Sequence, residues 1–289
     1  MSATQAPYAT LEYEVSNRVA RITLARPRYR NAQSRRLLEE LDTAFHRADA
    51  DREVNVIVLL GAGEHFSAGH DLGTPEELAD REARPWPEGI RGWYEYTYET
   101  FYANTLRWRN LNTPTVACVQ GYCIFGGWMI ASAMDVIFAA RDALFLGSLF
   151  QYFSMPWDLS ARKVKELLFE SRFIDAAEAK SLGLVNRIYP PQSLRTATLE
   201  WAERVAENDP FALRMAKSAV NNVQDAQGFP ASMLSGHAFY CLGRLSRHDP
   251  DAVEVAAGAR RMPMVKVALD NYRRHRSTLD ETQGAGGQS

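Results

Sequence analysis

Two short segments of this chain combine small residues with ionisable ones in an order that could act on a carbonyl group. The first is His65-Phe66-Ser67-Ala68-Gly69-His70-Asp71-Leu72, and the second is Gly121-Tyr122-Cys123-Ile124-Phe125-Gly126-Gly127. Each follows an apolar run of strand character, Val54 to Leu60 and Thr115 to Val119, so each reads as a strand-to-helix turn with bare backbone N–H groups. Two such turns facing one another would supply paired donors for a single oxygen, the arrangement that stabilises an oxyanion. His65, His70 and Tyr122 stand on or beside these turns, and a histidine there could titrate near neutrality. Cys123 has no basic partner nearby in the sequence and reads better as a small buried hydrophobe than as a nucleophile.

Phe66, Ala68, Gly69 and Asp71 match the pattern F-x-A-G-x-D, and the second segment matches N-G-x-x-x-G-G-G with departures at Gln120 and Phe125. In both respects the chain resembles the enoyl-CoA hydratase/isomerase family, the crotonase superfamily, over about residues 8 to 272. The resemblance implies that the N–H groups of Ala68 and Gly126 bind a thioester oxygen, and that Gly69 allows substrate to approach closely. It places His70, Asp71 and Tyr122 beside the substrate. Arg26-Pro27-Arg28-Tyr29-Arg30-Asn31-Ala32 resembles the segment R-P-x-x-x-N-A, in which Arg28 takes the position of a basic residue that meets the CoA nucleotide. Arginine suits a phosphate because its guanidinium is a permanently charged planar fork.

The resemblance also exposes a departure. Counting without gaps from Gly121 to Pro156, the two glutamates of the hydratases fall on Met129 and Leu149. Neither side chain can transfer a proton, and hydration needs both a base for water and an acid for the α-carbon. The nearest carboxylate downstream is Asp158, which reads equally as an acid/base group and as the N-cap of a helix over Ser160–Phe169. Asp135 reads as structural. Isomerisation, decarboxylation, C–C hydrolysis and atypical hydration all begin from the same oxyanion, so the reaction stays open. A non-catalytic CoA-ester binder is the rival from another class.

The elements that must position these residues follow from periodicity. Leu11–Val15 and Val19–Leu24 form a hairpin, and Ser34 caps a helix to about Asp51 with Leu37, Leu38, Leu41, Phe45 and Ala48 on one face. Pro75 to Gly92 reads as a loop with a short helix. An aromatic-rich helix from Trp93 to about Asn110 suggests a large acyl pocket, for an aromatic or polycyclic group. Gly126–Met134 is a short helix, Asp135–Ala140 and Ala143–Leu146 are strands, Asp175 caps a helix that stops at Gly183, and Leu184–Ile188 is a strand. Beyond Pro190-Pro191 the pattern is helical throughout, over Ser193–Glu207, from Asp209-Pro210, over Phe229–Arg247 and over Asp251–Arg276.

Strands alternating with helices to about residue 190, then helices alone, define an α/β core with a helical extension. With the resemblance, this is the crotonase (ClpP-like) fold of stacked ββα turns, with a C-terminal helical region that forms trimers or pairs of trimers. The expected division is 1–190 for the core, 191–280 for the helical region and 281–289 for a disordered tail.

Composition excludes several classes. The net charge of −2 over 289 residues gives no electrostatic footprint for nucleic acid. Three cysteines read as reduced thiols, and no zinc-ligand spacing occurs. No apolar run approaches the ~20 residues of a membrane span, and the first ten residues lack the signature of a signal peptide. The expectation is a cytoplasmic protein with no metal and no cofactor other than CoA carried by the substrate.

Overall fold

The computed structural model describes residues 8–86, 88–147, 150–246 and 264–285. Strands β1 (Leu11–Ser16) and β2 (Val19–Leu24) form the expected hairpin, turning through Asn17 and Arg18, both at positive φ. Helix α1 (Arg35–Ala50) is capped by Ser34, whose hydroxyl accepts from the Leu37 N–H at 3.2 Å. Strand β3 (Val56–Gly61) delivers the chain to the first turn.

The stretch expected to be mostly loop is mostly helix. Thr74 caps α2 (Pro75–Ala83), and α3 (Gly89–Thr97) begins four residues before the aromatic run. A π-helical turn, Tyr98–Ala103, joins α3 to α4 (Asn104–Arg109). Strand β4 (Thr115–Val119) leads to the second turn, which contains a strand that periodicity could not show, β5 (Tyr122–Ile124), before α5 (Gly126–Ser132). Then come β6 (Val136–Ala140), β7 (Leu144–Leu146), α6 (Met155–Asp158), α7 (Ala161–Glu170), β8 (Phe173–Asp175), α8 (Ala176–Ser181) and β9 (Arg187–Tyr189). Helices α9 (Pro191–Ala206), α10 (Pro210–Ala226), α11 (Phe229–Ser246) and α12 (Met264–Ala285) complete the described chain. Residues 251–263 of the last expected helix lie outside the described residues. The expected tail is helical as far as Ala285.

The main sheet has the order β1-β2-β3-β4-β6-β9, antiparallel at β1–β2 and parallel elsewhere. Its strands alternate strictly between two cores, as a sheet covered on both faces must. Ile22, Ile57, Leu59, Ala117 and Ile137 face α1 and α5. Val58, Leu60, Val116, Cys118 and Phe138 face Leu194, Ala202 and Ala206 of α9. Residue 190 therefore separates strands from helices, but α9 beyond it is a layer of the core. A second sheet, β5-β7-β8, stands at the second turn, and β7–β8 is its antiparallel pair.

Candidate active site

The two turns are zipped together by backbone hydrogen bonds. Phe66 N–H donates to Gln120 O at 2.8 Å, Ser67 N–H to Tyr122 O at 3.0 Å, and Ile124 N–H to Ser67 O at 3.0 Å. Gly69 permits the contact. Its φ is +86°, and a Cβ there would lie 2.7 Å from Ile124 O and 3.2 Å from the Gly126 nitrogen, so a side chain is excluded both by conformation and by space. Gly69 was expected to admit substrate; what its missing side chain admits here is the second turn, held against the first.

Following each N–H of the turns to its acceptor shows which donors are free. Ala68 is spent, because its N–H donates to Arg30 O at 2.9 Å. This corrects the expectation that Ala68 offers a bare donor. Gly69 donates to Ser67 Oγ at 3.2 Å and Asp71 to Gln33 O at 3.0 Å. On the second turn Tyr122 donates to His65 Nδ1 and Phe125 to Leu146 O. Among the described hydrogen bonds, none uses the N–H of His70 or of Gly126. His70 and Gly126 are thus neighbouring donors without a described acceptor, the His70 ring lying against Gly126, and His70 stands two residues further along the first turn than the motif match placed the donor.

Asp71 also departs from its expected role beside the substrate. Its carboxylate accepts from Arg26 Nη1 at 2.9 Å, from the N–H groups of Gly73 and Thr74, and from Thr74 Oγ1 at 2.6 Å. Burial alone would raise its pKa, but the hydrogen bonds from Thr74, Gly73 and Arg26 outweigh burial and hold the carboxyl below its usual range. Arg26 in turn reaches Ala32 O and Thr74 Oγ1. Asp71 is a latch between the first turn and the start of α2.

The ring nitrogens of His70 are buried although the residue as a whole is half-buried, and its ring stacks on Phe101 at 3.9 Å between centroids. Burial pushes its pKa down to about 4, opposed by a contact with Gln151, so the imidazole is neutral at neutral pH. Tyr122 points elsewhere. Its ring stacks on His65 at 4.6 Å and packs with Phe173 in a separate apolar cluster, so it does not face the His70 side. Cys123 is buried, and burial raises its thiol well above the usual value, which makes it inert.

Asp158 is not brought to the turns. It lines a cavity of about 410 Å³ with Arg109, Ser132, Met134 and Lys217, at the C-terminal end of α5, whereas Gly126 begins that helix. Nor is it a cap, because Ser160 caps α7 by accepting from Lys163 N–H. Burial raises Asp158 to about 7, against the opposing influence of Ser154 and Arg109. Asp135 is structural as expected, receiving Thr115 N–H at 2.7 Å and Lys217 Nζ at 2.9 Å.

The cavity beside His70 is small, about 90 Å³, with Trp86, Trp93, Tyr96 and Phe101 among its walls. That is of the order of the ~150 Å³ that holds one benzene ring, which suits the aromatic alternative better than the polycyclic one. Gln33 and Gln151 share this wall with His70. Sequence reasoning missed both; the one available signal was that Gln33 follows the Asn31-Ala32 pair. Arg28 is exposed, rests over the Tyr29 ring at 5.4 Å, and borders a groove of about 430 Å³. Met129 is buried in α5, and Leu149 lies outside the described residues. Among the described residues no group of histidine, cysteine and carboxylate side chains could hold a metal, and no helix is long and apolar enough to cross a membrane.

A fold of this topology, with two glycine turns zipped so that two backbone donors stay free, is that of the crotonase superfamily. A profile of the enoyl-CoA hydratase/isomerase family matches residues 14–242, and the chain belongs to that family. It is 38% identical over 247 residues to EchA13 of Mycobacterium tuberculosis, provisionally named an enoyl-CoA hydratase, covering 78% of this chain and 76% of that protein. The crystal structure of a probable enoyl-CoA hydratase from Mycobacterium smegmatis superposes with a TM-score of 0.77 at 39% identity, covering 84% of this chain and 97% of the other. An enoyl-CoA hydratase/isomerase from Xanthobacter autotrophicus Py2 superposes with a TM-score of 0.74 at 30% identity, covering 89% and 99%.

Proposed function

We propose that the protein is an acyl-CoA enzyme that polarises a thioester carbonyl through the backbone N–H groups of His70 and Gly126, stabilising an enolate. The observation that carries this reading is that these two N–H groups stay without described acceptors on turns held in contact at Gly69. Each preorganised donor at a developing oxyanion is worth about 3 kcal/mol, and the charge it stabilises is the one that appears when a proton leaves the α-carbon. CoA arrives as part of the substrate, with exposed Arg28 as the contact for its phosphates; no separate cofactor is needed. Of the ionisable side chains weighed from the sequence, His70 is the one that faces the free donors.

The assembly that fits is a homotrimer or a pair of trimers in the cytoplasm. Phe211, Val220 and Val223 of α10 and Phe239 and Leu242 of α11 are exposed, apolar side chains that association with further copies would bury.

The test is α-proton exchange. Acyl-CoA thioesters incubated with the protein in deuterium oxide gain deuterium at the α-carbon, read by mass spectrometry. Binding without exchange favours a second reading, a non-catalytic CoA-ester binder, which the residues Met129 and Leu149 in place of carboxylates support. No binding of any thioester removes both readings.

A further inference from the structure

The small cavity at the first turn is lined by both aromatic and polar side chains. Trp86 stacks on Tyr96 at 4.8 Å between centroids, and Phe101 meets Tyr96 edge-on at 5.9 Å. Gln33, His70 and Gln151 share the lining with them, the His70 ring stacked on Phe101. Gln33 Oε1, both imidazole nitrogens of His70 and Gln151 Oε1 are buried without a partner of good hydrogen-bond geometry. Leaving such an atom unpaired is costly, and native proteins seldom gather several in one wall unless something else completes them.

Which of these atoms donate and which accept defines what completes them. The Ser67 hydroxyl donates its one proton to Asn31 O at 2.9 Å and accepts from Gly69 N–H. It can therefore only accept from Gln33, whose Nε2 stands 3.2 Å away. That fixes the amide: the nitrogen faces Ser67, and Oε1 faces the cavity as an acceptor. His70, neutral, has one N–H and one lone pair. A carboxylate on the ligand would be repelled by Gln33 Oε1, and the two arginines of the lining, Arg35 and Arg81, are already paired with Asp80 and Glu77; an alkyl group would leave Oε1 unpaired. A hydroxyl donates to Gln33 Oε1 and meets His70 in either role.

The place of that hydroxyl is also limited. A Cβ on Gly126 would collide with Gln33 Oε1 and come within 2.8 Å of His70 Cε1, so both side chains reach the oxyanion donor. The hydroxyl then lies within a few atoms of the thioester carbonyl, and the aromatic wall leaves room for one ring.

Resting on the acyl-CoA reading above, we propose that this cavity selects CoA thioesters of a single-ring acyl group bearing a hydroxyl close to the thioester, with Gln33 and His70 as the specificity-determining side chains. The experiment is calorimetry on matched pairs: 2-hydroxycyclohexanecarbonyl-CoA against cyclohexanecarbonyl-CoA, and 3-hydroxybenzoyl-CoA against benzoyl-CoA. At least one hydroxylated member binds about tenfold more tightly, the loss expected when a buried acceptor goes unpaired. Gln33→Met and His70→Phe, each confirmed folded by circular dichroism, reduce that ratio to within about twofold.

A ratio near one for both pairs with the parent protein overturns the proposal, and this decides it even if neither variant folds. A ratio retained in both folded variants overturns the assignment to these residues. If neither these thioesters nor acetyl-CoA and crotonyl-CoA bind, the acyl-CoA reading fails as well, which separates the two failures.

Discussion

Arg26 Nη1 donates to Asp71 Oδ2 at 2.9 Å, with the two side chains only 6% and 1% exposed. This pair ties the loop after β2 to the far end of the first turn, and both partners carry further hydrogen bonds to Thr74. The turn keeps its shape because a charge is locked beneath it.

Removing one partner of such a pair leaves the other buried and uncompensated, which typically costs about 3–5 kcal/mol. Arg26→Leu should destabilise the protein by that order in urea unfolding. Asp71→Asn, which keeps the shape and some of the hydrogen bonds, should cost less. Equal and small losses for both would show that the pair is incidental.

Asp158 gives a prediction in pH. Its folded pKa, about 7 against an ordinary 3.8, is raised, so its contribution to stability is complete below about pH 4 and is lost as pH rises through 7. The slope in that window is roughly 1.4 kcal/mol per unit. In Asp158→Asn this fall disappears, so the variant should match the parent at pH 4 and melt at a higher temperature at pH 8. Parallel pH profiles would mean that Asp158 ionises freely in the folded protein.

Arg28→Ala should weaken every CoA thioester alike, by about three- to tenfold, because the contact expected is a charge-assisted one with phosphate at an exposed site. A loss that depends on the acyl group would place Arg28 at the wrong end of the ligand.

Crotonyl-CoA hydration should be slow. Met129 is a buried thioether, and each positioned acid or base commonly contributes roughly a hundred- to ten-thousand-fold. A turnover near the ~10 per second of ordinary enzymes would show that another group moves the protons.

The layers of this fold are legible in the sequence where burial writes a period. The α1 stripe of Leu37, Leu38, Leu41 and Phe45 is buried as its spacing implies, and the caps at Ser34 and Asp175 both form. Strand β5 is not legible, because three residues inside a glycine turn have no period to show. Strand β8 escapes for the same reason. A short helix was expected after Pro75, but not the start of α2 at Pro75 itself, which reads as a breaker yet sits at the first helical position, where proline is tolerated.

The site divides along the same line. That the two turns meet could be read from their residues. Which N–H groups stay free could not, because it depends on acceptors supplied by Arg30 and Gln33, some 38 residues before the turn they bond in each case. Asp158 was chosen for proximity in sequence, and the fold places it at the other end of α5. Gln33 and Gln151 become visible only through the cavity they share with His70.

The central claim is that His70 and Gly126 N–H groups polarise a bound thioester. The most direct measurement is the carbon-13 resonance of an acyl-CoA labelled at the thioester carbonyl, compared free and saturated with protein. Two donors on the oxygen draw electron density from the carbonyl carbon, so the resonance should move downfield on binding, and the label's carbonyl stretch should fall in frequency. A bound thioester with an unshifted resonance and stretch would contradict the account.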